Sequence, residues 1–247
     1  MKHRREQPKA AKQSQAASPA AAATPVVESR KRILLVDDHP FMRAGLAQLI
    51  DKQPDLRVIG EAGEPSEAMR LLAGTPVDLV LTDMTMPGRS GIEFIKDVLA
   101  LHPSLPILVV SMHDEAIYAE RVLRAGARGY IMKEAGGENM LLAIRQVLGG
   151  QVYVSARVSA RILDAMSGRR PRGSNSPIEK LSDREFEVFQ LVGQGKSTRD
   201  IAQQLGLSPK TVDVHRANIR AKLGLQDVTA LVRHAVRWVE TQGSGQG

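Results

Sequence analysis

Residues 77–88 read Val-Asp-Leu-Val-Leu-Thr-Asp-Met-Thr-Met-Pro-Gly, and this segment decides the fold. Four of the five residues from Val77 to Leu81 are apolar, which is typical of a strand buried on both faces of a parallel sheet. The apolar run stops before Asp83, and a Pro-Gly turn follows. Asp83 is therefore expected at the carboxyl end of a strand, where ligands collect in open α/β sheets. Taken alone, Asp83 could instead be a loop carboxylate that caps the next helix.

The same type of apolar run recurs between residues 33 and 148, and it alternates with segments of helical spacing. Strands are predicted at 33–36, 56–60, 77–81, 107–110 and 129–132. Helices are predicted at 41–49, 66–73, 92–101, 116–125 and about 139–148, and the second of them is expected to open at Ser66. Five strands separated by five helices predict an α/β fold with a doubly wound, five-stranded parallel sheet of the flavodoxin-like kind.

Four of the five predicted strands end in residues that can do chemistry: Asp37 and Asp38, Asp83, Ser111, and Lys133. Parallel strands bring these ends to one edge of the sheet. Three carboxylates in one pocket repel each other unless a cation joins them, and ligand sets made only of oxygen favour Mg²⁺. Lys133 offers a point charge for phosphate, and Ser111 offers a hydroxyl to the same oxygens. The pattern predicts that Asp83 accepts a phosphoryl group while Mg²⁺ and Lys133 neutralise the developing charge.

Residues 31–150 resemble the receiver domain of two-component response regulators, and the turn Met86-Pro87-Gly88 with Gly91 matches that family. The resemblance implies that Asp83 is the phosphoacceptor of a sensor histidine kinase. It also implies that Mg²⁺ is held by Asp38, Asp83 and the backbone carbonyl of Thr85, with Asp37 acting through water. Lys133 would pair with the phosphoryl group, while Ser111 and Tyr130 would rearrange. Glu134 departs from the family pattern, because many receivers have proline there, and this leaves the geometry of that loop open.

The C-terminal part contains three consecutive helix starts. Ser182-Asp183-Arg184-Glu185 opens a helix that turns Phe186 and Phe189 inward, Ser197-Thr198-Arg199-Asp200 opens a second helix, and Ser208-Pro209 caps a third that runs to about Leu223. A short helix, a turn with Gly206 and a longer helix predict a helix-turn-helix.

The third helix has two dissimilar faces. Val212, Ile219 and Leu223 form a narrow apolar stripe, which predicts the buried face. The other residues are expected to face DNA. Those predicted to enter the major groove are Asp213, Val214, Ala217, Asn218 and Ala221, and those predicted to reach phosphates are Lys210, Thr211, Arg220 and Lys222. Asp213 could accept a hydrogen bond from cytosine. A small helical bundle with a solvated face is the alternative.

Residues 181–225 resemble the LuxR-type helix-turn-helix, through Leu-Ser-Asp-Arg-Glu at 181–185 and Lys-Thr-Val-Asp-Val-His at 210–215. A receiver joined to this module makes the NarL/FixJ class of response regulators. The resemblance implies binding to double-stranded DNA and a homodimer, formed through the last helix at about 228–239, when the protein is phosphorylated or bound to DNA. It also suggests that the unphosphorylated receiver occludes the recognition helix.

Charge and composition divide the chain. The net charge is +7, but it is distributed unevenly, since residues 33–155 are acidic and the rest is basic. We predict a disordered basic tail at 1–30, a receiver at 31–150, a linker helix with a flexible tether at 151–176 and a DNA-binding domain at 177–242. The lack of cysteine and of a long apolar run favours a cytoplasmic protein without a membrane partner.

The main prediction is a DNA-binding transcription regulator switched by phosphorylation, and not an enzyme. The first alternative is a phosphohydrolase of the haloacid-dehalogenase kind, which needs an Asp-x-Asp pattern after the first strand; here that strand ends in Asp37-Asp38-His39. The second alternative is a DNA-binding dimer that does not depend on phosphorylation. Asp83 and Lys133 argue against it.

Overall fold

The computed structural model describes residues 1, 30–86, 90–167 and 177–243. The predicted basic tail lies almost entirely outside the described residues. So do the tether and Pro87-Gly88 of the turn after Asp83.

The receiver is built on one parallel sheet of five strands. The strands are β1 (Lys31–Val36), β2 (Leu56–Ala62), β3 (Leu79–Thr82), β4 (Ile107–Ser111) and β5 (Gly129–Met132). Their order is β2-β1-β3-β4-β5, and every pairing is parallel. The order reverses between β1 and β3, which is where an open α/β sheet forms a crevice at its carboxyl edge. The predicted fold class is confirmed.

Helices cover both faces of the sheet. They are α1 (Pro40–Asp51), α2 (Pro65–Gly74), α3 (Gly91–Leu101), α4 (Glu115–Arg124) and α5 (Gly137–Leu148). Side chains of α1 and α5, such as Ile50 and Ile144, pack on one face, and those of α2, α3 and α4, such as Phe94, pack on the other. Because both faces are covered, the central strands are apolar on both sides.

Two local predictions are wrong. The second helix begins at Pro65 with Glu64 as its N-cap, so Ser66 lies inside the first turn and does not open it. The third strand begins at Leu79, two residues later than predicted. Asp78 lies outside it, and its carboxylate accepts the backbone N–H of Arg32 at 2.7 Å and two hydrogen bonds of 3.0 Å from the Arg32 guanidinium.

The C-terminal part is entirely helical. After the linker helix α6 (Ala156–Met166) it contains α7 (Asp183–Gly193), α8 (Thr198–Leu205), α9 (Pro209–Leu223) and α10 (Val228–Gly243). The capping boxes at Ser182 and Ser197 are both present, and Ser208 caps α9, so the predicted starts are confirmed. In the described part of the chain, no helix combines the length and the apolar character needed to cross a membrane.

Three aromatic rings organise the core of this domain. Phe186 and Phe189 are completely buried on α7, and both contact the Trp238 ring of α10 edge-on at 5.5 and 5.7 Å between centroids. Edge-to-face contacts of this kind add to the burial of the rings. Truncation of either phenylalanine to alanine would cost about 3–5 kcal/mol.

Candidate phosphoacceptor site and nucleic-acid interface

The ends of neighbouring strands bring the predicted site together. Val36 is in register with Thr82, so Asp37 and Asp83, the next residue of each strand, lie side by side. Both are buried, with 3% and 4% of their surface exposed. Lys133 follows β5 directly, in a short 3-10 turn over Lys133–Ala135. The convergence predicted from the strand ends is therefore present for these three residues.

Lys133 joins the two buried carboxylates. Its Nζ lies 2.7 Å from Asp37 Oδ2 and 2.7 Å from Asp83 Oδ2. The backbone N–H of Met84 donates to Asp83 Oδ1 at 2.6 Å. Burial raises the pKa of Asp83, although Lys133 opposes the shift. Burial also works against the charge of Lys133, but its hydrogen bonds with Asp37 and Asp83 outweigh that effect and raise its pKa. The ion pair with Lys133 thus works against the burial that favours the neutral form of Asp83.

A possible cation site adjoins this pair. Ligand atoms of Asp37, Asp38, His39 and Asp83 all lie within 4.8 Å of one another. Asp38 Oδ1 is buried and accepts no hydrogen bond within the described part of the chain, although His39 Nδ1 lies 2.8 Å from it. A buried carboxylate oxygen without a donor is costly, and a bound cation would satisfy it. The residues present therefore fit a divalent cation. Thr85 donates its backbone N–H to Asp83 Oδ1 at 3.4 Å, while the predicted role of its carbonyl stays a prediction.

Ser111 and Tyr130 lie beside the site and are both buried. The Tyr130 hydroxyl donates to the carbonyl of His113 at 2.7 Å, and Ser111 Oγ accepts the backbone N–H of His113 at 3.2 Å. Burial raises the pKa of Tyr130 well above its usual range, although its hydrogen bond with Ser111 opposes this. Tyr130 thus already occupies an inward position, which was expected only after phosphorylation.

His113 is a residue that the sequence analysis missed. Its Nε2 lies 2.8 Å from Thr85 Oγ1, and its ring stacks on Tyr118 of α4 with 4.9 Å between centroids. Burial lowers its pKa, although the charge of Asp83 opposes the shift. The only available signal was its place two residues after Ser111. His113 links the loop after Asp83 to α4.

Arg121 of α4 fastens the receiver to the C-terminal domain. Its guanidinium donates to the backbone carbonyls of Leu181 at 3.0 Å and Ile178 at 3.1 Å, and it lies 3.2 Å from Asp183 Oδ1. It also sits over the Phe186 ring, 4.6 Å from the centroid. Only 13% of the Arg121 side chain is exposed, so these contacts are made largely without competition from water.

Other contacts extend the docking surface, which we define as the contact of α3 and α4 with α7 and the turn before it. The rings of Tyr118 and Phe186 meet edge-on at 5.3 Å between centroids. Lys96 Nζ lies 3.1 Å from Asp183 Oδ2. Arg184 Nη1 lies 3.7 Å from Glu93 Oε2. The receiver therefore docks on α7.

The recognition face of α9 is open to solvent. The five residues predicted to enter the major groove, Asp213, Val214, Ala217, Asn218 and Ala221, are all exposed. Val212 and Ile219, on the opposite side, are completely buried, as predicted. The predicted occlusion of the recognition helix by the receiver is therefore wrong for this structure, because the receiver covers α7 instead.

The residues predicted to contact phosphates lie at both ends of α9, and those near its end are held against their own domain. Lys210 is exposed at the start of α9, where Thr211 shares a side-chain hydrogen bond of 2.7 Å with Ser208. Arg220 is half-buried, and its Nε has no hydrogen-bond partner among the described residues. Lys222 points to its own domain, with Nζ 2.6 Å from Oε2 of the buried Glu185. Its role at DNA stays a prediction, although this ion pair competes with it.

Arg216 is a second residue that the sequence analysis missed. It donates from Nη1 to Thr198 Oγ1 at 2.7 Å and so ties α9 to the first turn of α8. Its Nε is buried and makes no hydrogen bond in the part of the chain that the structure describes. Because its position falls between the two faces of α9, the helical periodicity assigned it to neither.

Comparisons with known proteins agree with this architecture. The family model described as response regulator receiver domain matches residues 33–145, and the model described as bacterial regulatory proteins, luxR family, matches residues 179–235. The response regulator UvrY of Escherichia coli strain K12 is 33% identical over 205 residues, which cover 83% of this chain and 93% of UvrY. The oxygen regulatory protein NreC of Staphylococcus aureus strain MRSA252 is 34% identical over 210 residues, or 83% of this chain and 97% of NreC.

One solved structure matches most of this chain, and another matches about half of it. RcsB from Salmonella enterica serovar Typhimurium, bound to promoter P1flhDC in the presence of the phosphomimetic BeF₃⁻, has a TM-score of 0.63 at 25% identity. The match covers 84% of this chain and 98% of the RcsB chain. A LuxR-family two-component response regulator from Aurantimonas sp. SI85-9A1 is 34% identical and covers 56% of this chain and 99% of its own, with a TM-score of 0.53. The chain belongs to the response regulators that join a receiver domain to a LuxR-family regulatory domain.

Proposed function

We propose that this response regulator controls transcription by binding double-stranded DNA, and that phosphorylation of Asp83 by a sensor histidine kinase switches it. One observation carries the first half of the proposal: Lys133 Nζ contacts Asp37 and Asp83 at 2.7 Å each, at the carboxyl edge of the sheet. A carboxylate held beside a buried ammonium suits phosphoryl transfer, since the charge that develops on the phosphoryl oxygens is already compensated.

Each residue then has a distinct part. Asp83 Oδ2 would form the bond to phosphorus beside Lys133 as the donor nitrogen leaves. The backbone N–H of Met84 holds Asp83 Oδ1 and so orients the carboxylate. Ser111 would turn its hydroxyl to the new phosphoryl oxygens, next to Tyr130, whose ring is already buried. These steps use positions that are already buried or adjacent, so little reorganisation is needed.

Mg²⁺ is the cation that we propose for the acidic cluster. Asp38, Asp83 and the carbonyl of Thr85 would hold it, and Asp37 would act through water. When bound, it would supply positive charge for the developing phosphoryl oxygens. Oδ1 of Asp38 supports this assignment, because it is buried, accepts no hydrogen bond from the described residues and would be satisfied by a cation.

The recognition face of α9 supports the DNA-binding half of the proposal. Its exposed residues include the small Ala217 and Ala221, which let a helix approach base pairs closely. Asp213, Val214 and Asn218 would read base edges, while Lys210, Thr211 and Arg220 would reach phosphates. We propose that α10 forms a homodimer on DNA or after phosphorylation, and that the protein acts in the cytoplasm.

The decisive experiment replaces Asp83. Asp83→Asn keeps the shape of the side chain but removes the nucleophilic carboxylate, so labelling by acetyl phosphate or a donor kinase should fall to background. Asp164→Asn is the matched control, since Asp164 is exposed on the linker helix, and it should label normally. In the unaltered protein, removal of Mg²⁺ should stop labelling. Labelling of Asp83→Asn at the normal rate would contradict the assignment.

A phosphohydrolase would behave differently. In that class the nucleophile follows the first strand, and in this chain that position is held by Asp37. Multiple turnover of a phosphomonoester that survives Asp83→Asn would favour the hydrolase. We expect a single phosphoryl group per chain instead, and no such turnover.

A further inference from the structure

Tyr130 has no inward movement left to make in this structure. It is 1% exposed, and its hydroxyl already donates to the carbonyl of His113 at 2.7 Å. A rotation of this ring from outside to inside therefore cannot carry a signal from Asp83 to the C-terminal domain. Another residue has to join the acceptor site to the docking surface.

His113 is held from three sides by residues around the acceptor. Its backbone N–H donates to Ser111 Oγ at 3.2 Å, and its carbonyl accepts the Tyr130 hydroxyl. Its ring nitrogen Nε2 lies 2.8 Å from Thr85 Oγ1. Thr85 in turn donates its backbone N–H to Asp83 Oδ1 at 3.4 Å. The position of His113 therefore depends on the residues that surround Asp83.

A continuous row of rings leads from His113 to the C-terminal domain. The His113 ring stacks on Tyr118 at an interplanar angle of 27°, and the Tyr118 ring meets Phe186 of α7 edge-on at 5.3 Å between centroids. Tyr118 and Phe186 are both buried, so in a close-packed interior neither ring can shift without moving its neighbour. Arg121, which fastens the two domains, lies one turn after Tyr118 on α4. A displacement of Tyr118 thus acts on two parts of the docking surface.

A phosphoryl group on Asp83 would disturb two of the three contacts of His113. Ser111 would turn its hydroxyl to the phosphoryl oxygens and so leave the backbone N–H of His113 without its acceptor. The second contact is with Thr85, which is hydrogen-bonded to the carboxylate that becomes phosphorylated. A donor that loses its partner away from water is costly, so the loop that carries His113 should rearrange.

We infer that His113 couples Asp83 to the docking surface, so that phosphorylation draws its ring off Tyr118 and loosens the contact of α4 with α7. The inference rests on the proposed function and names the route by which the same site regulates the C-terminal domain. His113 acts through Tyr118 and is therefore a positioning residue. Transfer of the phosphoryl group to Asp83 does not depend on it.

The test compares the docked fraction of the full-length protein before and after the phosphomimetic BeF₃⁻ is added with Mg²⁺. Spin labels on Lys52→Cys in the receiver and Thr229→Cys in α10, both at exposed positions, give this fraction from the distribution of label distances. His113→Phe removes Nε2 but keeps a ring against Tyr118. His102→Phe is the matched control, because it precedes β4 and so lies at the opposite edge of the sheet.

Coupling between two sites typically amounts to about 5–150-fold, so BeF₃⁻ should lower the ratio of docked to undocked molecules by at least about fivefold in the unaltered protein and in His102→Phe. In His113→Phe the ratio should hardly change. Thr85→Val removes the same hydrogen bond from the other side and should have the same effect, whereas Thr85→Ser keeps the hydroxyl and should restore the response. The double variant of Thr85→Val and His113→Phe should respond no less than either single variant, because both remove one contact.

The ¹⁹F resonance of bound BeF₃⁻, which Asp83→Asn should lack, reports occupancy of the acceptor separately from docking. A full response of His113→Phe to bound BeF₃⁻ would overturn the inference, and so would bound BeF₃⁻ that leaves the unaltered protein docked. Labelling of Asp83 by acetyl phosphate would survive either result. A protein that neither binds BeF₃⁻ nor becomes labelled would overturn the proposed function, and the inference with it.

Discussion

The acceptor site and the recognition face handle charge in opposite ways. Asp37, Asp83 and Lys133 are buried and joined at 2.7 Å, whereas the residues of α9 predicted to read bases are exposed and only Asp213 among them is charged. Phosphoryl transfer needs charges fixed before the reaction, because reorganisation in a buried site is costly. A surface that reads DNA must shed water on binding, so small or weakly polar side chains suit it. The docking surface stands between these extremes.

Lys133→Met should have the largest effect, because it removes the only cation among the described side chains that touches the buried carboxylates of Asp37 and Asp83. We expect phosphorylation of Asp83 to slow by roughly 10²–10³-fold, as when one fixed electrostatic donor is removed from an active site. The pKa of Asp83, already raised by burial, should rise further. Since the nucleophile is the ionised form, the remaining rate should increase with pH.

Initial rates of labelling by acetyl phosphate across a pH series provide the measurement for Lys133→Met. Lys52→Met, at the exposed C-cap of α1, is the matched control and should be normal. A fall in the labelling rate smaller than tenfold would mean that the buried ammonium is not needed for transfer. It would also contradict the contrast drawn between the acceptor site and the recognition face.

Arg121→Ala should have the next largest effect, on docking of the two domains. It removes hydrogen bonds to two backbone carbonyls and a contact with Asp183. One hydrogen bond to a charged group contributes about 1.5–3 kcal/mol, so we expect docking to weaken by at least about that amount. Because the chain has no cysteine, Lys52→Cys and Thr229→Cys can carry two spin labels, and the distance between the labels should broaden on undocking.

Arg124→Ala is the control for Arg121→Ala. Its side chain is 76% exposed and pairs only with Glu120 among the described residues, so the distance distribution should not change. The recognition face is already open, so affinity for a single DNA half-site should change little in Arg121→Ala. A several-fold rise in that affinity would indicate that the docked receiver does occlude the recognition helix.

Asp213→Ala should have the smallest and most local effect. If Asp213 accepts a hydrogen bond from cytosine, its removal should relax preference at one position of each half-site by roughly 1–3 kcal/mol. Selection of DNA from a random pool with Asp213→Ala, and with Asp164→Ala as the control, would measure this change. An unchanged preference at every position would show that the charged residue of the recognition face does not read bases.

Much of the fold and of the acceptor site could be predicted, because both depend on local patterns. Apolar runs marked the strands, and parallel strands necessarily bring Asp37, Asp83 and Lys133 to one edge. His113 and Arg121 escaped prediction, since their contacts depend on tertiary structure. Arg121 reaches the carbonyl of Leu181, sixty residues away in the chain, and no periodicity in the sequence records such a contact.

The expected occlusion failed for a physical reason. If net charge alone decided docking, the acidic receiver would lie against the basic recognition surface. At the docking surface, however, the receiver supplies the cations Lys96 and Arg121 and the C-terminal domain supplies the carboxylate of Asp183. Among the described ion pairs of this surface, Glu93 with Arg184 alone has the signs that the net charges would favour. Net charge acts at long range, whereas docking is decided by individual pairs at about 3–4 Å.

The aromatic contacts around Phe186 have an optical consequence. Phe186 touches Tyr118 of the receiver on one side and Trp238, the single tryptophan of the chain, on the other. Separation of the domains would expose Phe186 to water and change the surroundings of the indole behind it. The wavelength and the quantum yield of tryptophan emission should therefore report on docking in the unlabelled protein. The efficiency of energy transfer from Tyr118 to Trp238 should fall when the domains separate.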